Sequence, residues 1–459
     1  MLLRSLLNMR QRYTLFNPGQ SNDDIVTFVD KTKWELVTKE GFLLEKKLTF
    51  DNDISKYNLI KQVRITSIDE IINNPIFNYH YLPGLNIYIS PNLSHAEFDK
   101  QEFFNQIDKF LDDLNINITI DESNYIQTLN SLYYYQSNHL VTSLKWDSWT
   151  NNDDNSKIID FLWQLDKTVI KLLEKVADNT SITWKIDENY QEIGLFMIDQ
   201  DISSGDDIVL SGLRVIFDPE DEDEENVFKT LFHVKPRHRS IGKSLQLIKS
   251  NGLHPIVKSF LTSPLPEDED LTECRLYYYA SLDKSVFFDK YQDYLGVLVI
   301  NNGEKDLELP EYKINKWGQE IMFEFPVNFS KSVDLTLHAR YQKPNEMNNR
   351  TVITLTKPLL FYGCEVTDSH LLNTSPFDNK NVIGGNYEAY FTDDTVFYHV
   401  ENEHGSKFHI DIPNGSSTFE KINTITVISI FAGIVLILFK LLQVFNKRLA
   451  PVTPRKKRE

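Results

Sequence analysis

The segment TITVISIFAGIVLILFKLLQVFNKRLAPVTPRKKRE, residues 424–459, limits what this chain can be more than any other. No charge falls between Thr424 and Phe439, and Leu441, Leu442, Val444 and Phe445 carry the apolar character past Lys440. That approaches the roughly 20 residues a helix needs to cross a bilayer. Lys440 can extend its charge to the nearer interface along its own stem. The run has no polar face, which disfavours a helix in a soluble core. It ends basic, whereas a GPI-attachment signal ends apolar. Lys447, Arg448, Arg455, Lys456, Lys457 and Arg458 crowd the C-terminal flank, while Lys421 on the other flank stands beside Glu420. The positive-inside rule then puts the tail in the cytosol and, if the rest crosses, the bulk in a lumen.

The opposite end is less decisive. MLLRSLLNMRQRYTLFNPG is interrupted by Arg4 and Asn8 and lacks a clean apolar region with a small-residue cleavage site. A tail-anchored adaptor of the endoplasmic reticulum with a cytosolic bulk is therefore the alternative topology. Sequons at Asn92, Asn117, Asn179, Asn328, Asn349, Asn373 and Asn414 favour the lumen as candidate N-glycosylation sites. Lys456 and Lys457, fourth and third from the end, resemble a dilysine retrieval signal and fit either topology.

The 459 residues suffice for two or three domains. The pattern predicts an α+β N-terminal domain over 1–215, with helices at 102–115 and 156–179 and strands in DIVTFVDKTKWELVTK and LNIYIS. The acidic run around DPEDEDEEN is expected to be a linker, 216–226, followed by a β-rich, antiparallel sandwich-like domain over 227–412. A stalk, 413–421, one transmembrane helix, 422–445, and a basic tail, 446–459, complete the chain. A formal charge of −18 excludes a nucleic-acid partner, which needs a basic footprint.

Enzyme signatures are sparse. GxSxG, HExxH, a P-loop and GxGxxG are absent, and no Cys/His spacing suits zinc, so neither a cofactor nor a metal is expected. Cys274 and Cys364 leave room for one bridge between β-segments, and an oxidising lumen would favour it. HVKPRHRS, 233–240, could grip an anionic headgroup or be a polar strand end. VDLTLHARYQKPNE, 333–346, is the richest stretch. Strand alternation places Val333, Leu335, Leu337, Ala339 and Tyr341 on a core face and Asp334, Thr336, His338, Arg340 and Gln342 on the other. An antiparallel hairpin with 351–356 is expected, and the Asp334/His338/Arg340 row reads as an internal network, a docking surface or a luminal active site.

Four segments together resemble the PIG-X family: GLHPIVKSFL (252–261), CRLYYYASLDKSVFFDKYQ (274–292), LTLHARYQKP (335–344) and PLLFYGCE (358–365), followed by one C-terminal span. Ser281–Leu282 stands where a Leu-Pro pair is expected. The resemblance covers the second domain and implies that His254, Asp289, Tyr291, Asp334, His338, Arg340, Tyr341 and Pro358 are structural or docking residues. It further implies a chaperone-like subunit of GPI mannosyltransferase I in the endoplasmic reticulum, partnered by a multi-span PIG-M-like catalytic protein. Physics agrees that one helix cannot enclose a lipid-linked donor and a lipid acceptor within the membrane. Among the readings of the Asp334/His338/Arg340 row, an internal Asp334–Arg340 network is expected, with docking spread over the adjacent KPLLFYG edge and the membrane span.

Overall fold

The computed structural model describes residues 9–449 except 18–26, 31–32, 39–40, 53–55, 73, 75, 78, 95–97, 139–156, 186–188, 199–207, 219–226, 250–251, 264, 268–269, 293–295, 327–331, 346–348, 378–386 and 416–418. It is β-rich. Two large sheets hold most strands, with few helices among the described residues.

The first sheet has eleven strands, in the spatial order Val227–Val234, Ile208–Phe217, Tyr190–Ile198, Arg10–Asn17, Phe42–Asp51, Lys167–Val176, Lys157–Gln164, Ile60–Ile68, Gly84–Pro91, Leu132–Gln136 and Ile126–Gln127. One face is covered by helix α1, Lys100–Asp113. Asp99 caps it by accepting from the Glu102 N–H at 2.9 Å, and Phe103, Phe104, Ile107, Phe110 and Leu111 are buried. Phe110 meets Trp163 edge-on, 5.5 Å between ring centres.

The helix expected over 156–179 is instead a hairpin of two strands, Lys157–Gln164 and Lys167–Val176. Both lie in the interior of the sheet and are buried on both faces, with Asp160 and Lys171 among the buried residues. Such a run satisfies helical spacing as well as strand spacing, and its β-branched Ile158, Ile159, Thr168, Val169 and Ile170 favour the strand.

The acidic run does not separate two sheets. Its flanking strands, Ile208–Phe217 and Val227–Val234, pair with each other, so it closes a hairpin and the first sheet extends to Val234. The second sheet has eight strands, in the order Val297–Gly303, Gly318–Pro326, Leu271–Asp283, Leu359–Val366, Thr395–Asn402, His238–Lys249, Ile256–Leu261 and Ser332–Thr336. The pairing of His238–Lys249 with Thr395–Asn402 is parallel, which departs from the all-antiparallel expectation. Arg350–Thr356 pairs with Lys407–Pro413, not with the 333–339 segment, and adds Ile353, Leu355, Phe408 and Ile410 to the second sheet's core. In place of the expected hairpin, Ser332–Thr336 pairs with Ile256–Leu261 and is the last strand of its sheet.

The two halves are joined by specific contacts. Trp317 donates its indole N–H to the Tyr133 carbonyl at 2.8 Å, and the Tyr135 hydroxyl lies 2.6 Å from that of Thr356. Ser281, where the family resemblance leads one to expect Leu-Pro, places its hydroxyl 3.1 Å from that of Tyr133. After the short helix α2, His370–Thr374, and the Lys407–Pro413 strand, helix α3 runs from Phe419 to Leu449. Its 26-residue apolar part, Glu420–Phe445, presents side chains outward, as a bilayer-spanning helix does. Lys456 and Lys457 lie outside the described residues.

Candidate functional site

Six of the eight family-motif residues, His254, Asp289, Tyr291, His338, Arg340 and Tyr341, lie at one corner of the second half. Val333, Leu335, Leu337 and Ala339 are buried, as strand alternation requires. The strand then ends: His338–Ala339 pairs briefly with Val286–Phe287, and the Arg340 N–H donates to the Ser285 carbonyl at 2.8 Å. Beyond that point alternation no longer governs. Arg340 turns inward and is buried, whereas Tyr341, expected in the core, is 66% exposed.

The expected Asp334–His338–Arg340 network does not form. Asp334 pairs instead with Lys258 across the adjacent strand, at 2.7 Å. Arg340 donates through Nη1 to the carbonyls of Asp306 and Leu309, at 2.7 and 2.8 Å, and its guanidinium sits 4.4 Å above the Phe287 ring. His338 stacks on Phe287, meets His254 edge-on with ring centres 4.7 Å apart, and lies 2.6 Å from the Gln292 amide. Burial, with His254 nearby, holds the His338 imidazole below its usual range, and Asp289 opposes this. Asp289 shapes the turn by accepting from the Tyr291 N–H at 2.9 Å. Tyr291 itself is exposed. Phe287 and Gln292, within the 274–292 motif but not singled out there, are brought to His338 by strand pairing and by the turn after Asp289.

Pro358 is buried, its carbonyl accepting from Gln246 at 3.0 Å, and the Leu359–Val366 strand lies inside its sheet. KPLLFYG is therefore not an edge open to a partner. Cys274 and Cys364 stand opposite each other on paired strands and are joined by a disulfide. Neither is free to act as a nucleophile.

HVKPRHRS is not an open anion grip either. Lys235 pairs with Asp270 at 2.8 Å, and Arg237 donates to the carbonyls of Asp393 and Thr395 and to the Asn373 amide oxygen. Its His238 belongs to a buried trio with His80 and His399. The ligand-capable nitrogens of the three lie within 4.8 Å of one another. His238 Nδ1 is 2.9 Å from His399 Nε2, and the His80 ring stacks on His399 at 4.2 Å with 9° between planes. Burial holds His80 down to about 4, and His238 and His399 well below the ordinary imidazole value. Neutral imidazoles can bind a metal, but each lone pair lies in its ring plane. Parallel stacked planes do not converge on one ion, so these rings would have to tilt apart to share one.

A cavity of about 230 Å³ opens beside His80 and His399, also lined by Glu70, Glu401 and Asn402. This is below the roughly 300–1,000 Å³ of ordinary ligand sites. Neither His80 nor His399 was selected from the sequence, because nothing local marks them; they meet only through the joining of the two halves.

Of the sequons, Asn117, Asn179 and Asn349 are exposed. Asn92 donates to the Asn58 carbonyl, Asn373 accepts from Arg237, and Asn414 accepts from Thr351. Asn328 lies outside the described residues.

Comparison with known proteins follows the same lines as the motif corner. The PIG-X / PBN1 family pattern matches residues 250–442. Protein PBN1 of Debaryomyces hansenii is 42% identical over 452 residues, covering 96% of this chain and 98% of its own. The chain belongs to the PIG-X/PBN1 family. Protein PBN1 of Candida albicans is 39% identical over 94% of this chain and 96% of its own, and that of Saccharomyces cerevisiae 28% over 64% and 68%. PIG-X/PBN1 proteins serve GPI-anchor biosynthesis as partner subunits, and this chain carries, among the described residues, one C-terminal helix long and apolar enough to cross a bilayer, consistent with single-pass anchoring.

Proposed function

We propose that this chain is the non-catalytic subunit that stabilises the multi-span, PIG-M-like catalytic subunit of GPI mannosyltransferase I in the endoplasmic reticulum. In that role it supports transfer of the first, α-1,4-linked mannose to glucosaminyl-phosphatidylinositol. The observation that carries this reading is the state of the motif corner. Arg340 is engaged by backbone carbonyls, Asp334 by Lys258, and His338 by aromatic rings and an amide. Such groups hold a surface in shape; acid–base chemistry would need them to converge on a reacting atom.

The bulk is luminal and the basic tail cytosolic in this reading. The disulfide supports it, because cytosolic thiols are kept reduced. Exposed Asn117, Asn179 and Asn349 are then the best glycan acceptors. Purified alone with dolichol-phosphate-mannose and acceptor lipid, the chain should form no product, while its depletion from cells should lower the level of the catalytic subunit. Turnover by the chain alone would overturn the proposal. An endoglycosidase shift that disappears with those asparagines would support the topology, and an unshifted, protease-accessible bulk in intact microsomes would reverse it.

A further inference from the structure

We infer that the corner carrying Tyr291, Tyr312 and Tyr341 rests on the headgroup zone of the bilayer that α3 crosses, as a second membrane contact. This depends on α3 spanning a membrane and is independent of the mannosyltransferase reading.

The chain path fixes the neighbourhood. The Asn414 N–H donates to the Asn349 carbonyl at 2.8 Å, and Pro344 Cγ lies 3.9 Å from where a Cβ would stand at Gly415. The loop after His338–Ala339 is thus packed against the residues that lead into α3. Phe419 is four residues beyond Gly415, at most about 14 Å of extended chain. Tyr341 is three residues from Pro344, within about 11 Å by the same measure. The Glu311 N–H donates to the Tyr341 carbonyl at 3.1 Å, which puts Tyr312 beside it. Tyr291 follows the turn that brings Gln292 to His338.

Three large rings are left outside the core here: Tyr291 is 77% exposed, Tyr341 66% and Tyr312 50%. A tyrosine with an apolar ring and a polar tip is suited to the membrane–water interface. The charges nearby do not form a basic patch. Lys284 is paired with Glu311 at 2.7 Å, and Lys290, Lys313 and Lys343 are interspersed with Asp289, Asp306 and Glu308. The contact should therefore depend on the rings and on no particular anionic lipid. It would fix the angle at which the ectodomain stands over its own anchor.

The test uses the full chain reconstituted in phosphatidylcholine vesicles without any other protein. Because the native cysteines are bonded to each other, Lys343→Cys supplies a single site for a nitroxide. Glu403→Cys is the comparison, in the exposed turn at the end of the Lys407–Pro413 strand away from α3. A nickel chelate carried on a lipid should relax the label at 343 several-fold more than that at 403. Added salt or phosphatidylserine should leave the ratio unchanged, and combined Tyr291→Ser, Tyr312→Ser and Tyr341→Ser should abolish it. These side chains are exposed, so the variant retains its core, which an unchanged melting temperature would verify. Equal relaxation at the two positions, a contrast surviving the triple substitution, or a contrast seen only with the catalytic subunit present would each overturn the inference. The last would assign the corner to a protein surface.

Discussion

Arg340 and Tyr341 exchange the roles that strand alternation gives them, because the strand ends between Ala339 and Arg340. Arg340→Ala would strand two carbonyls at a nearly buried site. We expect a loss of about 1–3 kcal/mol, read as a lower melting temperature of the full chain. Tyr341→Ala should shift stability by no more than about 0.5 kcal/mol, since the ring is mostly in solvent. If the ring were in the core, the cost would be about 3–5 kcal/mol, so denaturant melts of this one variant separate the two placements. Asp334→Asn should cost under about 1 kcal/mol, because its pair with Lys258 is half exposed and screened. The partners of Asp334, His338 and Arg340 were not legible in the sequence, because they lie on other strands and loops that only tertiary pairing brings alongside.

At the scale of elements, the disulfide links the Leu271–Asp283 and Leu359–Val366 strands in the middle of the second sheet. Its sequence separation of 90 means that reduction frees a long loop in the unfolded chain. On the chain-entropy model, Cys364→Ala paired with Cys274→Ala should cost about 4–5 kcal/mol, visible as a lower denaturant midpoint. Helix α1 offers a smaller test. Asp99→Ala removes its cap and should cost about 1 kcal/mol. That helix was legible because one apolar stripe faced a sheet and the other side faced water. The 157–176 segment was not, because strands buried on both faces, with Asp160 and Lys171 among the buried residues, have no water-facing side to reveal their period.

Across the whole molecule, the buried histidines make the joining of the halves sensitive to acid. His80 is held near pH 4 when folded, against about 6.5 unfolded. The unfolded chain therefore binds more protons between those values. Stability is intact above about pH 6.5 and falls as pH drops toward 4, by about 3 kcal/mol from His80 alone. Denaturant melts at several pH values should show this slope, and His80→Phe should make it shallower, leaving the part due to His238 and His399.

The sequence by itself determined the long apolar C-terminal helix, the α1 stripe, the β-rich second half and the family motifs. Each rests on a local period or on an apolar run long enough to need a bilayer. Tertiary structure decided the rest: which strands neighbour Ser332–Thr336, that Arg340 holds backbone carbonyls, and that His80 reaches His399 across the two halves. Those pairings join residues tens to hundreds of positions apart. They are set by competition among strands for partners and by the need to satisfy every buried polar group, which no short window of sequence records.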